Sequence, residues 1–191
     1  MYKNVYFVRH GYALHNKLFW DIGNNAYKIR DTQLLDKGVQ QAIELGQTWN
    51  NINNIELVVC SPLTRTLDTA SLIFKDTSHK IIALDCLLEH PLGTEENCNH
   101  RKNKTTLMAL YPHIDFSLLK DEHYEWSDDK ETPDQLQKRA DTFIDWCKKR
   151  KEKEICAVSH SSYMGNLIFG TIGDENHQLE HCTPYRYKID I

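Results

Sequence analysis

Arg9, His10, Arg65, Glu89 and His160 are the side chains of this chain whose types fit one chemistry together. Two guanidiniums can each grip phosphoryl oxygens bidentately. A histidine can attack phosphorus when one ring nitrogen is deprotonated, and neighbouring guanidiniums favour that state because like charge disfavours imidazolium. A carboxyl group can supply the proton that the leaving oxygen needs. Phosphoryl transfer asks for positioning and charge compensation more than for covalent chemistry, so such a set would suffice. Singly, each residue has a plainer reading: Arg65 as a solvated helix residue, His160 as a capped core histidine, Glu89 as a loop carboxylate. The triplet Arg9-His10-Gly11 would itself occur by chance in about one or two per cent of chains this long. What joins these residues is their place relative to the predicted elements.

Val5 to Val8 reads as a short buried strand that ends in Arg9-His10, with Gly11 free to turn the backbone away. Residues 12 to 34 are polar and mixed, a loop with a short helix. From Asp36, placed to cap, Val39, Ala42, Ile43, Gly46 and Trp49 recur at helical spacing. Glu56 to Cys60 is a second strand. Ser61 as N-cap and Pro62 at the first helical position then open a helix that carries Arg65. Lys80 to Leu84 is a third strand, followed closely by Glu89. Residues 86 to 131 lose periodicity apart from a short helix near Thr105 to Leu110, and form an irregular insertion in the position of a lid. Thr132 to Gln135 is a capping box that opens a long amphipathic helix. Glu154 to Ser159 is a fourth strand, ending at His160. A helix from Ser162 to Phe169 and an edge strand from Tyr185 to Ile191 close the chain.

Strands alternating with helices predict a three-layer α/β/α sandwich around a mainly parallel sheet with an antiparallel edge strand. Ligands of such sheets collect at the carboxyl ends of the strands. Each predicted strand ends in, or leads into, one of the five residues, so all would converge on one edge. The helix start before Arg65 would add oriented N–H groups for an anion.

The remaining composition narrows the function. At 191 residues the chain fits a single domain, and 40% hydrophobic with 26% charged residues is the balance of a globular protein. A net charge of -4 argues against a general affinity for nucleic acid or an anionic membrane. No stretch reads as a signal peptide or a membrane span, and six scattered cysteines, two of them inside strand-like runs, suggest reduced thiols in a cytoplasmic protein. Cys60-x4-Arg65 is one residue short of a thiol-phosphatase loop, and Pro62 removes an N–H from its cradle. Cys86, His90, Cys98 and His100 fit no compact zinc spacing.

Val-Arg-His-Gly at 8–11, Asn16, Cys-Ser-Pro-Leu-Thr-Arg at 60–65 and Val-Ser-His-Ser at 158–161 resemble the histidine phosphatase superfamily, which includes the cofactor-dependent phosphoglycerate mutases. The resemblance covers nearly the full chain, including Leu34 to Gln41. It implies His10 as the phosphorylated nucleophile, Arg9, Arg65 and His160 as phosphate holders, Glu89 as proton donor and Asn16 as a further phosphate contact. Tyr12-Ala13 stands where mutases of the family continue with Glu-Ser. His15-Asn16, the spacing from Glu89 through Gly93 and Cys98 to Arg101, and Ile114 to Ser117 look like a plant and fungal branch termed phosphoglycerate-mutase-like. The expected activity is therefore that of a histidine acid-type phosphatase, metal-independent and without a cofactor. Its expected partner is a small phosphorylated metabolite, with the basic stretch 100–104, Arg101 included, either reading a second anionic group or forming a solvated loop. The alternatives are a phosphoglycerate-mutase-type phosphotransferase and a non-catalytic phospho-ligand binding module.

Overall fold

The computed structural model describes residues 2–120, 129–174 and 176–191. In chain order the elements are β1 (Tyr2–Arg9), α1 (Leu14–Ile22), α2 (Asp36–Thr48), β2 (Leu57–Cys60), α3 (Thr64–Ile73), β3 (Ile81–Ala83), α4 (Lys104–Leu110), β4 (Ile114–Asp115), α5 (Pro133–Lys149), β5 (Glu154–Ser159), α6 (Ser161–Phe169) and β6 (Pro184–Asp190). The strands form one sheet in the order β4-β3-β2-β5-β1-β6. All neighbours are parallel except β6, which runs antiparallel to β1 at the edge. The predicted α/β/α sandwich is the observed architecture.

Two-sided burial explains why the central strands read as unbroken apolar runs. Along β1, Val5 and Phe7 enter a core shared with Leu136, Ala140 and Phe143 of α5 and Tyr163 and Met164 of α6. Val8 points the other way, into a core built with Ala42 and Leu45 of α2 and Leu67 and Ala70 of α3. Period-two alternation thus feeds both faces of the sheet. The capping box of α5 forms as expected, with Gln135 N–H donating to Thr132 Oγ1 and Thr132 N–H to Gln135 Oε1.

Two helix starts differ from expectation. α3 begins at Thr64, not at Pro62. Ser61 is still part of the sheet edge, its N–H donating to the Val158 carbonyl, so the chain cannot yet turn. The cap comes from a distant segment: the Asp31 carboxylate accepts from Thr64 N–H and Thr64 Oγ1, both at 2.7 Å. α2 has Leu35, not Asp36, in the capping position. Leu34 bridges Ala13 and Leu35 N–H donates to the Tyr12 carbonyl, which keeps the backbone extended up to Asp36. The mixed stretch after Tyr12 contains a full helix, α1, and a 3-10 turn over Gly23–Lys28. Within 86–131, the described residues 86–120 and 129–131 hold the expected short helix as α4. They also hold β4, a short strand that the lost periodicity did not predict and that pairs with β3. Residues 121–128 lie outside the described part.

The loop after His10 is pressed against the start of α2. A Cβ on Gly11 would lie 2.5 Å from the Gly38 carbonyl oxygen, and a Cβ on Gly38 would lie 2.3 Å from the Tyr12 carbonyl oxygen. Helix propensity alone would make Gly38→Ala stabilising by up to about 1 kcal/mol. Overpacking against rigid backbone costs about 1–3 kcal/mol and should win. Gly38→Ala is expected to lower the urea midpoint with the slope unchanged; a raised midpoint would show that the loop yields freely.

Candidate active site

Strand register brings the two histidines together. Arg9 pairs with Ser159 across β1 and β5, and the N–H of His10 donates to the Ser159 carbonyl. His10 and His160 therefore leave adjacent strands at the same level, with ring centroids 5.2 Å apart. One strand further along the sheet, Ser61 follows Cys60, whose partner is Val158, and Ser61 Oγ lies 2.9 Å from His160 Nε2. α3 then delivers Arg65 in its first turn, wholly buried at 1% exposure.

The hydrogen bonds orient the rings. His10 Nδ1 is 2.7 Å from the Gly11 carbonyl oxygen, which can only accept, so Nδ1 carries the proton and Nε2 is left with its lone pair. His181 Nδ1 donates in turn to the His10 carbonyl. Asn16 Oδ1 accepts from Ala13 N–H, which fixes the amide so that its Nδ2 donates to His15 Nε2. His15 Nδ1 then donates to Thr32 Oγ1 at 2.6 Å. His15 and His181 flank His10, each with ring centroids 5.6 Å from it.

Electrostatics keep these rings neutral. Burial, reinforced by the Arg65 charge, holds both His10 and His160 well below the ordinary imidazole range. Burial and the two guanidiniums bring His15 down to about 2, and burial with the Arg9 charge brings His181 to about 4. Burial also lowers Arg9 and Arg65 from the usual guanidinium value. Neither arginine has a carboxylate at ion-pair distance among the described residues. Arg9 Nη1 donates to the Leu179 carbonyl, and Arg65 donates through Nη1 to the Cys98 carbonyl and through Nη2 to Asn99 Oδ1. The Nε of each arginine and Nδ1 of His160 are buried with no partner. Unsatisfied buried donors on cations, such as the two guanidinium Nε–H groups, are costly.

Arg9, His10 and Arg65 line a cleft of about 230 Å³ whose walls also include His15, Asn16, Tyr27, Glu89 and His90, while His160 lies wholly buried behind it. Glu89 is therefore in the site, but its oxygens are engaged: Oε1 accepts from the N–H of His90 and of Tyr163, and Oε2 from the N–H of Ser162. Its carboxylate sits on the first turn of α6. Arg101 is not brought to the cleft, contrary to expectation. Its guanidinium is buried on the Asp85 carboxylate, with Nε at 2.7 Å from Oδ1, which joins the loop around 101 to the end of β3. Lys102 of the same basic stretch is held by Asp31 and Thr64.

Sequence reasoning did not assign Tyr27 or His181 to the site. His181 had no local signal, since it arrives through a bridge to Arg9 from the loop before β6. Ser61 was legible only as a helix cap. The rival centres do not form: Cys60 is buried at the strand end, with its thiol pushed up by burial. His90 and His100 are turned to Glu131 and the Gly93 carbonyl, and no cluster of metal-ligating side chains occurs among the described residues.

A neutral imidazole near two guanidiniums, at the carboxyl edge of a mainly parallel sheet, can accommodate a phosphoryl-sized anion. The comparisons give that class its family. A model of the histidine phosphatase superfamily (branch 1) matches residues 5–185, and the chain belongs to that superfamily. It is 30% identical over 206 residues to phosphoglycerate mutase-like protein 1 of Arabidopsis thaliana, covering 87% of this chain and 71% of that protein. The alpha-ribazole phosphatase of Shigella flexneri superposes with a TM-score of 0.64 at 21% identity, over 98% of this chain and 90% of that one. The phosphoserine phosphatase of Entamoeba histolytica, solved with 3-phosphoglyceric acid, does so with a TM-score of 0.60 at 23% identity, over 96% and 89%. These solved structures share the fold. No helix among the described residues is long and apolar enough to cross a membrane.

The neutral, buried imidazoles make stability depend on pH with a definite sign. Their folded pKa values lie below the unfolded one of about 6.5, so the unfolded chain binds more protons once pH drops through that value. Their share of stability is whole above pH 6.5 and is lost as pH falls, toward about 4 for His181 and about 2 for His15. For His15 alone the loss between pH 7 and pH 5 is about 2 kcal/mol. Urea unfolding at the two pH values should show it, and His15→Asn should remove that increment of the pH dependence.

Proposed function

We propose that this protein is a phosphomonoesterase that works through phosphorylated His10. The observation that carries the reading is that Arg9, Arg65 and His160 gather at His10, whose Nδ1 is held by the Gly11 carbonyl so that Nε2 keeps its lone pair. In the first step Nε2 attacks phosphorus, the bond to the ester oxygen breaks, and that oxygen takes a proton from Glu89. In the second, water attacks the phosphohistidine, Glu89 takes its proton, and phosphate leaves with Nε2 restored. Arg9, Arg65, His160 and Asn16 hold the phosphoryl oxygens. The charge that builds up is offset by two guanidiniums, so the reading needs no metal ion or cofactor. The phosphatase names of the two solved neighbours and the mutase-like name of the Arabidopsis relative accord with phosphoryl transfer by this family.

Brief incubation with a labelled phosphomonoester should give an acid-labile, base-stable phosphoenzyme. Labelling should persist in chelator and vanish in His10→Ala. Label retained by His10→Ala would end this reading, and phosphate binding without any label would favour the binding module.

Clamp and acid separate by substrate. Arg65→Ala should raise KM and lower kcat together, by about two to three orders of magnitude in kcat/KM, since a lost charge contact acts in ground and transition states. Glu89→Gln should slow an alkyl phosphate far more than p-nitrophenyl phosphate, whose leaving group departs without a proton. Equal losses on both substrates with no burst of product would make Glu89 a support for the first turn of α6 instead of the acid.

A further inference from the structure

The cleft has a cationic floor and an acceptor wall. Arg9 and Arg65 are the only lysine or arginine side chains that line it among the described residues, and both belong to the floor. The outer wall carries Glu89, His90 and Glu96. Glu96 is bridged by Lys130 at 2.9 Å, but that ammonium is largely solvated and screens weakly. Cations that could have faced the wall are committed elsewhere: Arg101 on Asp85, Lys102 on Asp31, Arg139 on Glu131.

His90 reinforces the wall. Its Nδ1 lies 2.9 Å from Glu131 Oε2, and Glu131 also receives Arg139. Burial alone would raise the Glu131 carboxyl, but these partners outweigh it and hold the group at about 2. An ionised carboxylate can only accept, so His90 Nδ1 donates to it. A second cavity of about 250 Å³ adjoins the first through Arg9, Ser161 and Ser162. It adds Asp174, His177 and Gln178 and no further lysine or arginine. Beyond the phosphoryl pocket, the described walls thus hold acceptors and negative charge.

We propose that the site selects phosphomonoesters whose leaving group carries no second anion and presents a hydroxyl or ammonium donor to Glu96. The inference rests on the phosphatase reading for the anchoring of the phosphoryl group, and it goes against carboxylate-bearing phosphoglycerates as preferred substrates. A carboxylate entering this cleft beyond the phosphoryl pocket meets the like charge of Glu96 with no further guanidinium to pair it, whereas an ammonium meets an opposite charge.

Calorimetric binding of an isosteric phosphonate series tests the charge preference without depending on turnover. The probes are 3-aminopropylphosphonate, 3-hydroxypropylphosphonate and 3-phosphonopropionate, titrated into the full chain at pH 7.5 and low salt. The carboxylate is expected to bind at least about tenfold more weakly than the hydroxyl compound, and the amine at least as tightly. Glu96→Gln should narrow the gap between amine and carboxylate, and Glu96→Lys should narrow it further. Equal or tighter binding of the carboxylate by the wild type, or a gap that neither variant moves, would overturn the inference. Its failure is distinct from failure of the phosphatase reading, because labelling of His10 reports on that reading whatever the order of affinities.

Discussion

Arg9 and Arg65 lie together in the same site, and Arg9 feels the charge of Arg65, with no carboxylate at ion-pair distance from either among the described residues. A buried cation left unpaired costs several kcal/mol, and side chains free to choose would turn outward. Much of the surrounding structure prevents that. The Leu179 carbonyl takes one guanidinium, and the Cys98 carbonyl and Asn99 take the other. Asn99 is itself tied to the Pro91 carbonyl, so the loop between β3 and α4 is knitted around Arg65. Asp31 anchors the first turn of the helix that carries it. Glu89 favours both cations through its field while its oxygens rest on backbone N–H groups.

The same field sets the state of the histidines. Four imidazoles around one point would repel if charged, and burial beside two arginines removes that possibility by keeping them neutral. A neutral ring must still place its proton, and each ring has a partner that bears on the choice. Gly11 takes the proton of His10, Thr32 that of His15, and the His10 carbonyl that of His181. His160 has Ser61 on Nε2 and leaves Nδ1 buried and unspent. The tautomer that the backbone selects thus leaves His10 Nε2 with its lone pair without help from a neighbouring base.

How the site's elements hold together follows from close backbone approach as much as from polar bonds. Gly11 and Gly38 let the loop after β1 lie directly on α2, and Gln41 of that helix accepts from Tyr12 N–H. On the other side, Ser159 Oγ donates to the Leu87 carbonyl and draws the segment bearing Glu89 toward β5. Glu96 and His90 also line the cleft.

The fold was legible in the sequence because its central strands are buried on both faces and its helices carry one apolar stripe each. Apolar runs at Val5 to Val8 and Glu154 to Ser159, with chemistry at their ends, determine a parallel sheet and the edge at which Arg9, His10 and His160 meet. Local spacing also determined the capping box at Thr132 and the early place of Arg65 in its helix. What it could not carry were contacts between segments remote in the chain. Whether Arg101 reads a ligand or pairs with Asp85, whether Ser61 caps a helix or orients His160, and whether His181 joins the site depended on which segments pack together. A polar side chain's role is set by its nearest partner once water is excluded, and that partner is chosen by the tertiary structure alone.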